Sequence, residues 1–196
     1  MDMDLALSLV QVFIMLFVIM DPPGCIPIFM ALTKDVSKEE RERELNHAVA
    51  VASILLLLFA FLGKVVLDVL GITLNSFMIA GGILLLFIAF DLLRGEHKYG
   101  VRGGSSVGAV PLGIPLLAGP GAITAVMVII QSYGVGFVLF AIFSAIIATK
   151  LVLGQSERIF RIIGKVGSEV LSRVMGIMVA AIAIQFIVDG ILGLIF

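Results

Sequence analysis

Two short stretches combine residues that interrupt helices with groups that bind ions, and each lies inside an apolar segment. In the first, IMDPPGCIPIF at 19–29, the carboxylate of Asp21 is followed in turn by Pro22, Pro23, Gly24 and Cys25. In the second, LAGPGAITAV at 117–126, a similar pattern is formed by Gly119, Pro120 and Gly121, with the hydroxyl of Thr124 one turn further on. Because an interior proline costs a helix roughly 3 kcal/mol, both stretches predict a helix break.

A helix break inside a membrane exposes backbone groups that can bind a charged ligand. Aspartate is a favoured N-cap and proline a favoured first residue, so one half-helix should end near Met20 and another begin at Pro22 or Pro23. The free N–H groups and the dipole of the new helix attract an anion such as an amino-acid carboxylate. Carbonyls at the end of the preceding half-helix can receive an ammonium group or a cation. The pattern predicts a site for a small amino acid formed by Asp21, Pro22, Pro23, Gly24, Cys25, Gly119, Pro120, Gly121 and Thr124.

The sequence leaves two interpretations of Asp21 open. A carboxylate at membrane depth is costly and commonly functional, so Asp21 is predicted to bind the coupling ion. Alternatively, Asp21 only caps a kinked helix, since proline and glycine are tolerated in membrane helices. Two interruptions at matching positions favour a transport site, because pairs of interrupted helices mark such sites in transporters.

The composition places the chain in a lipid bilayer. Of 196 residues, 61% are apolar and 14% are charged, against roughly 45–50% and 25% in soluble domains. The net charge of −1 gives no indication of nucleic acid as a partner. One cysteine and two isolated histidines offer neither a disulfide nor metal-ligand spacing, so we expect no metal and no other cofactor. No hydrolase-like constellation of serine, histidine and acid is apparent, and we expect no enzymatic activity.

Six apolar segments are long enough to cross the roughly 30 Å of hydrocarbon in a bilayer. They run over about 5–33, 46–67, 72–93, 107–132, 134–153 and 171–196. Since lipid offers backbone groups no hydrogen-bond partner, the segments must be helical, and the first and fourth are predicted to be discontinuous. Small residues in the third and sixth segments, including Gly81, Gly82 and Gly176, predict close helix contacts.

The basic residues predict the orientation. Twelve of the thirteen lysines and arginines fall on the connections after the first, third and fifth segments or on the segment ends next to these connections. The positive-inside rule places these connections in the cytoplasm and both termini outside, in a multi-pass protein of the cell membrane. Ser37 and Glu40 form a capping box that should start the second helix before it enters the membrane.

The two halves of the chain share one plan. A shift of 97 positions places Pro23-Gly24 on Pro120-Gly121. Residues 1–98 and 99–196 each contain a broken, a straight and a glycine-rich segment, and three crossings per half give the halves opposite orientations. The predicted fold is therefore an all-α membrane protein of six helices, arranged as two inverted three-helix repeats in one membrane domain.

At these residues the chain resembles the MarC family of integral membrane proteins, including its SnatA-type small neutral amino acid transporters. DPPGCIPIF matches a first family signature at Asp21, Pro22, Gly24 and Pro27; PLGIPLLAGPGAIT matches a second at Pro115, Gly119, Pro120 and Gly121. The resemblance covers essentially the whole chain. It implies inward transport of glycine, alanine and similar amino acids, driven by an ion gradient.

Together these observations predict a secondary active transporter that works by alternating access, with a proton, in preference to sodium, as the coupling ion. Two alternatives from other classes stay open at this point. One is a passive channel, which would show flux without coupling or saturation. The other is a non-transporting membrane component that packs with a partner.

Overall fold

The computed structural model describes residues 2–95 and 117–195 and shows seven α-helices and no strand in that part of the chain. They are α1 (Asp2–Met20), α2 (Pro22–Leu32), α3 (Lys38–Leu70), α4 (Leu74–Arg94), α5 (Pro120–Tyr133), α6 (Val135–Gly154) and α7 (Ser156–Ile195). The first half of the predicted fourth segment, with Pro115, and the connection before it lie outside the described residues.

Five helical segments in residues 2–95 and 117–195 are long and apolar enough to cross a membrane. They are Met3–Leu32, Lys38–Leu70, Leu74–Arg94, Val135–Gly154 and Val166–Ile195. The first contains both α1 and α2. Where the sequence predicts a fourth span, the described residues contain only the shorter apolar helix α5, of 14 residues. The fold class is thus an all-helical membrane protein with five candidate spans and one short apolar helix.

The capping box predicted at the start of the second span is confirmed. The Ser37 hydroxyl accepts a hydrogen bond from the Glu40 N–H at 3.2 Å, and the Ser37 N–H donates to the Glu40 carboxylate at 2.9 Å. These bonds satisfy two N–H groups that a bare helix start would leave free. As a result, α3 begins at Lys38, well before the apolar segment predicted from residue 46.

The predicted sixth apolar segment, 171–196, lies in a longer helix, because the charged segment before it is also helical. Only Gln155 separates α6 from α7, and α7 continues to Ile195. It bends at Gly164, where φ is 65° and ψ is −175°. Glycine adopts this left-handed conformation without a steric penalty. The hydropathy of the chain therefore located the membrane part of this helix but not its beginning.

The third and sixth spans pack closely, as their small residues predict. The largest helix–helix contact in the described residues is between α4 and α7. A methyl group on Gly82 would lie 2.6 Å from the carbonyl oxygen of Ala183, and one on Gly176 would lie 3.3 Å from that of Ala89. Small residues at these positions let the two backbones approach.

Among the described residues, four helices surround α5. This helix packs against α1, α3, α4 and α6, and seven of its residues are buried: Gly121, Ala122, Thr124, Ala125, Val126, Met127 and Ile129. Contacts also join α1 to α6, α2 to α6 and α7, and α3 to α6. Large apolar side chains cover the outside, such as Ile54, Phe87 and Phe143, as expected of a surface that faces lipid.

Candidate functional site

The first break lies at Asp21, where the chain leaves one helix and enters the next within a single residue. Asp21 has a left-handed backbone (φ 44°, ψ 55°), and its N–H still donates to the carbonyl of Phe17 at 3.0 Å. Pro22 disfavours a right-handed helical conformation at the residue before it. Aspartate is one of the few side chains that tolerate the left-handed alternative. The predicted end of one half-helix near Met20 is confirmed, and of the two predicted starts of the next, Pro22 and Pro23, the structure has Pro22.

The N–H groups at the start of α2 are either absent or hydrogen-bonded within the protein. The prediction of free N–H groups at this helix start is therefore wrong. The Asp21 carboxylate accepts a hydrogen bond from the Gly24 N–H at 3.0 Å, and the Asp21 carbonyl accepts one from the Cys25 N–H at 3.0 Å. Pro22 and Pro23 have no N–H to offer. The first turn of α2 therefore presents no free amide hydrogen to a ligand, because two of its residues are prolines and the next two N–H groups donate to Asp21.

Gly24 is required by the position of this carboxylate. A Cβ at Gly24 would overlap the carboxylate oxygen of Asp21. Both residues are buried, as is Cys25, whose thiol lies 3.8 Å from the carbonyl oxygen of Met20. The Cys25 thiol thus faces the end of α1 and donates a weak hydrogen bond to one of its last carbonyls.

The same two prolines free acceptors at the end of α1. In a continuous helix the carbonyls of Val18 and Ile19 would accept from the N–H groups of residues 22 and 23. Proline cannot donate, so these two carbonyls lose their helical partners. Next to them lies Asp21, the single charged residue that is buried among the described residues. This break is therefore rich in acceptors and suited to a cation or an ammonium group.

The second break has the opposite character. Pro120 starts α5, as predicted, and the preceding Gly119 is extended (φ −67°, ψ 173°) and has no side chain to cap the helix. The first helical hydrogen bond is donated by the Ile123 N–H to the Gly119 carbonyl at 3.1 Å. The N–H groups of Gly121 and Ala122 come before that bond, so they have no partner within the helix. The positive end of this helix dipole is suited to an anion.

The two breaks meet in the core. A Cβ placed on Gly121 would overlap the side chain of Leu85 in α4 and would lie 3.2 Å from Cγ2 of Ile19 in the last turn of α1. The contact therefore brings the donor-rich start of α5 to the acceptor-rich end of α1. The observed contact therefore joins a helix start to a helix end and not one helix start to another.

Thr124, the predicted hydroxyl ligand, is fully buried one turn into α5. Its hydroxyl donates to the carbonyl of Pro120 at 2.9 Å, and its side chain lies where a Cβ on Gly81 would be. The proton of this hydroxyl is therefore engaged within α5, while the oxygen can still accept a hydrogen bond. No group of three or more histidine, cysteine, aspartate or glutamate side chains in residues 2–95 and 117–195 is arranged to hold a metal ion.

The sequence predicted carbonyl ligands at the end of the preceding half-helix without naming them, and counting four residues back from the prolines identifies them as those of Val18 and Ile19. Gly81 was predicted only as a close helix contact. Leu85 was absent from the prediction, because only the packing of α4 against α5 brings it to the break.

Comparison with known proteins agrees with this architecture. The model of the family described as "MarC family integral membrane protein" matches residues 7–195, a range that contains both breaks. The chain belongs to the MarC family. No solved structure matches it.

MarC relatives span almost the full length of the chain. A UPF0056 membrane protein of Methanocaldococcus jannaschii is 38% identical over 205 residues, which cover 98% of this chain and 90% of the relative. One of Archaeoglobus fulgidus is 37% identical over 191 residues, with 91% and 90% covered. The UPF0056 membrane protein YhcE of Escherichia coli is 34% identical over 195 residues, with 93% and 91% covered. These names describe membrane proteins and state no substrate.

Proposed function

We propose that this MarC protein is a secondary active transporter of the SnatA type, which imports small neutral amino acids such as glycine and alanine by alternating access. The observation that supports this proposal best is the contact between the two breaks. An amino-acid zwitterion carries a carboxylate and an ammonium group a few ångströms apart. The start of α5 offers N–H groups to the first, and the end of α1 offers carbonyls to the second.

The proposed binding mode assigns a role to each break. The substrate carboxylate binds the N–H groups of Gly121 and Ala122, and the ammonium group binds the carbonyls of Val18 and Ile19 together with a side-chain oxygen of Asp21. Gly121 has no side chain between these groups, so its backbone can approach a ligand directly. Leu85 packs directly against Gly121, so little room is left beside the backbone and substrates with small side chains are favoured.

Alternating access is supported by the burial of the site and by the pairing of the helices. Asp21, Gly24, Gly121 and Ala122 are all buried, so a ligand reaches them only if helices move apart. In an inverted repeat, α2 corresponds to α5, α3 to α6 and α4 to α7. If the halves are exchanged, the contact of α2 with α6 becomes one of α5 with α3. In the same way, the contact of α2 with α7 becomes one of α5 with α4. All four contacts are present. This agreement supports two inverted halves that move against each other.

We propose a proton as the coupling ion and Asp21 as its carrier. Among the described residues, Asp21 is the single ionisable side chain in the buried polar set. When Asp21 is protonated, the carrier loaded with a zwitterion has no net charge at the break, and its passage through the apolar core costs less free energy. A sodium ion is the less favoured alternative.

Uptake by purified protein in liposomes tests this function. With an acidic exterior and labelled glycine outside, we expect saturable accumulation of glycine above its equilibrium level, and we expect a protonophore to abolish it. Glycine that only equilibrates, without saturation, would identify a channel. No glycine flux through a folded protein would identify a non-transporting component, and either result would overturn the proposal.

A further inference from the structure

One arginine, Arg41, bonds to a residue in each half of the chain. Arg41, near the start of α3, donates from Nη2 to the carbonyl of Thr33 at the end of α2 at 3.0 Å. Its Nη1 lies 3.5 Å from a carboxylate oxygen of Glu157, in the first turn of α7. These two partners belong to different halves, since 116 residues separate Arg41 from Glu157.

A cleft of about 220 Å³ lies beside this contact. Its lining contains charged side chains from three helices and one buried aromatic ring: Lys38, Arg41, Glu42, Lys150, Glu157 and Phe29. Phe29 lies one turn, about 6 Å, beyond Cys25 along α2, and Cys25 lies one turn beyond Asp21. The helix α2 therefore leads from the first break directly to the cleft.

We propose that Arg41 is the inner gate of the transport route, and that its bonds to Thr33 and Glu157 close the passage between the helix break and the cleft. This inference rests on the proposed function. Movement of one half against the other must separate α7 from α2 and α3 if the break is to open toward the cleft. The Arg41–Glu157 contact is the ion pair between halves among the described residues, so it has to break in that movement.

The chemistry of the contact suits a gate that opens in every cycle. The Arg41 side chain is 20% exposed and that of Glu157 is 59% exposed. An ion pair with one partner in solvent is weak. The guanidinium also lies at the C-terminal end of α2, where a cation interacts favourably with the helix dipole and the last carbonyls. The contact thus stabilises the closed state but is weak enough to break in each cycle.

Cys25 makes the gate measurable, because it is the sole cysteine of the chain and is only 5% exposed. A water-soluble maleimide, applied to the purified protein in lipid nanodiscs, labels Cys25 at a rate set by how often the break opens. We expect Glu157→Gln to raise this rate about fivefold, the factor that corresponds to the loss of one weak ion pair, and Arg41→Gln, which also loses the bond to Thr33, to raise it further. Glu157→Gln leaves the bond from Arg41 to Thr33 in place and serves as the milder variant.

Arg161→Gln is the matched control. Arg161 pairs with the same Glu157 at 3.3 Å, but within α7, and its side chain is 79% exposed. Its loss removes one positive charge from the same face without cutting the link between halves, so the rate of labelling should stay at the wild-type value. Unchanged rates in both gate variants, with unfolding temperatures near that of the wild type, would overturn the gate. An equal rise in Arg161→Gln would do the same. The labelling needs no substrate, so its result is independent of whether glycine is transported.

Discussion

The two helix breaks share a proline-glycine pair but differ in what satisfies the new helix start. At α2, two prolines and the Asp21 carboxylate occupy the positions of the free N–H groups. At α5, a glycine precedes a single proline and no side chain caps the helix. The first break therefore keeps acceptors and a negative charge, and the second keeps donors and the positive end of a dipole.

This difference gives the proposed site a direction. A pair of identical helix starts would attract two anions and would not distinguish the ends of an amino acid. One acceptor-rich end and one donor-rich start bind a zwitterion in a single orientation. Variants that alter the acceptors of the first break or the donors of the second break separately therefore test whether each break binds its own end of the substrate.

The largest effect is expected when the first break loses its cap. Asp21→Ala leaves the buried Gly24 N–H without a partner, which costs about 1–3 kcal/mol. It also places alanine in a left-handed conformation, a further cost on the order of 1 kcal/mol. We expect a clear fall in the thermal unfolding temperature and loss of glycine uptake in liposomes.

Asp21→Asn separates the cap from the charge. An asparagine side chain can still accept from the Gly24 N–H and tolerates the same backbone. We expect its unfolding temperature to stay close to that of the wild type, while accumulation driven by a pH gradient is lost and glycine exchange is retained. If Asp21→Asn still accumulates glycine in response to the gradient, Asp21 is a cap and not the proton carrier.

The next effect concerns the contact between the breaks. Gly121→Ala adds a methyl group that overlaps Leu85 and approaches Ile19, so the start of α5 must shift. Overpacking of this kind costs about 1–3 kcal/mol. We expect a lower unfolding temperature and a rise in the KM for glycine, because the displaced groups are those proposed to bind the carboxylate.

Gly136→Ala is the matched control in α6. Nothing lies within 4 Å of a Cβ at this glycine, and the residue is exposed. Alanine is the better helix former by up to about 1 kcal/mol, so the variant should be as stable as the wild type or more so, with unchanged uptake. Equal KM values for the two variants would show that the Gly121 contact does not form part of the site.

How far the sequence predicted this arrangement depends on the range of the interactions involved. The break at Asp21 and the capping box at Ser37 follow from neighbours in sequence; the capping box was predicted to the residue and the break to within one residue. The kink at Gly164 was missed because hydropathy detects lipid contact and not helicity. The approach of Leu85 to Gly121 and the bond from Arg41 to Glu157 depend on packing between distant segments, which no local pattern encodes.

The smallest effect, and the finest test of the second break, is expected at Thr124. Its hydroxyl bonds the Pro120 carbonyl, and Pro120 is exposed, so Thr124→Val should cost less than about 1 kcal/mol. Thr124→Ser keeps the hydroxyl but leaves a methyl-sized void against Gly81, which costs about 1 kcal/mol.

Packing and ligand binding therefore rank the two variants of Thr124 in opposite orders. In thermal unfolding, valine should be at least as stable as serine. In glycine uptake, valine should fall no more than about fivefold below the wild type if the hydroxyl only orders the first turn of α5, since a single hydrogen bond contributes about 1 kcal/mol or less in this setting. A loss of more than tenfold for valine, with serine near the wild-type rate, would instead make the Thr124 oxygen a ligand. The donor-rich break would then bind the substrate through a side chain as well as through its backbone.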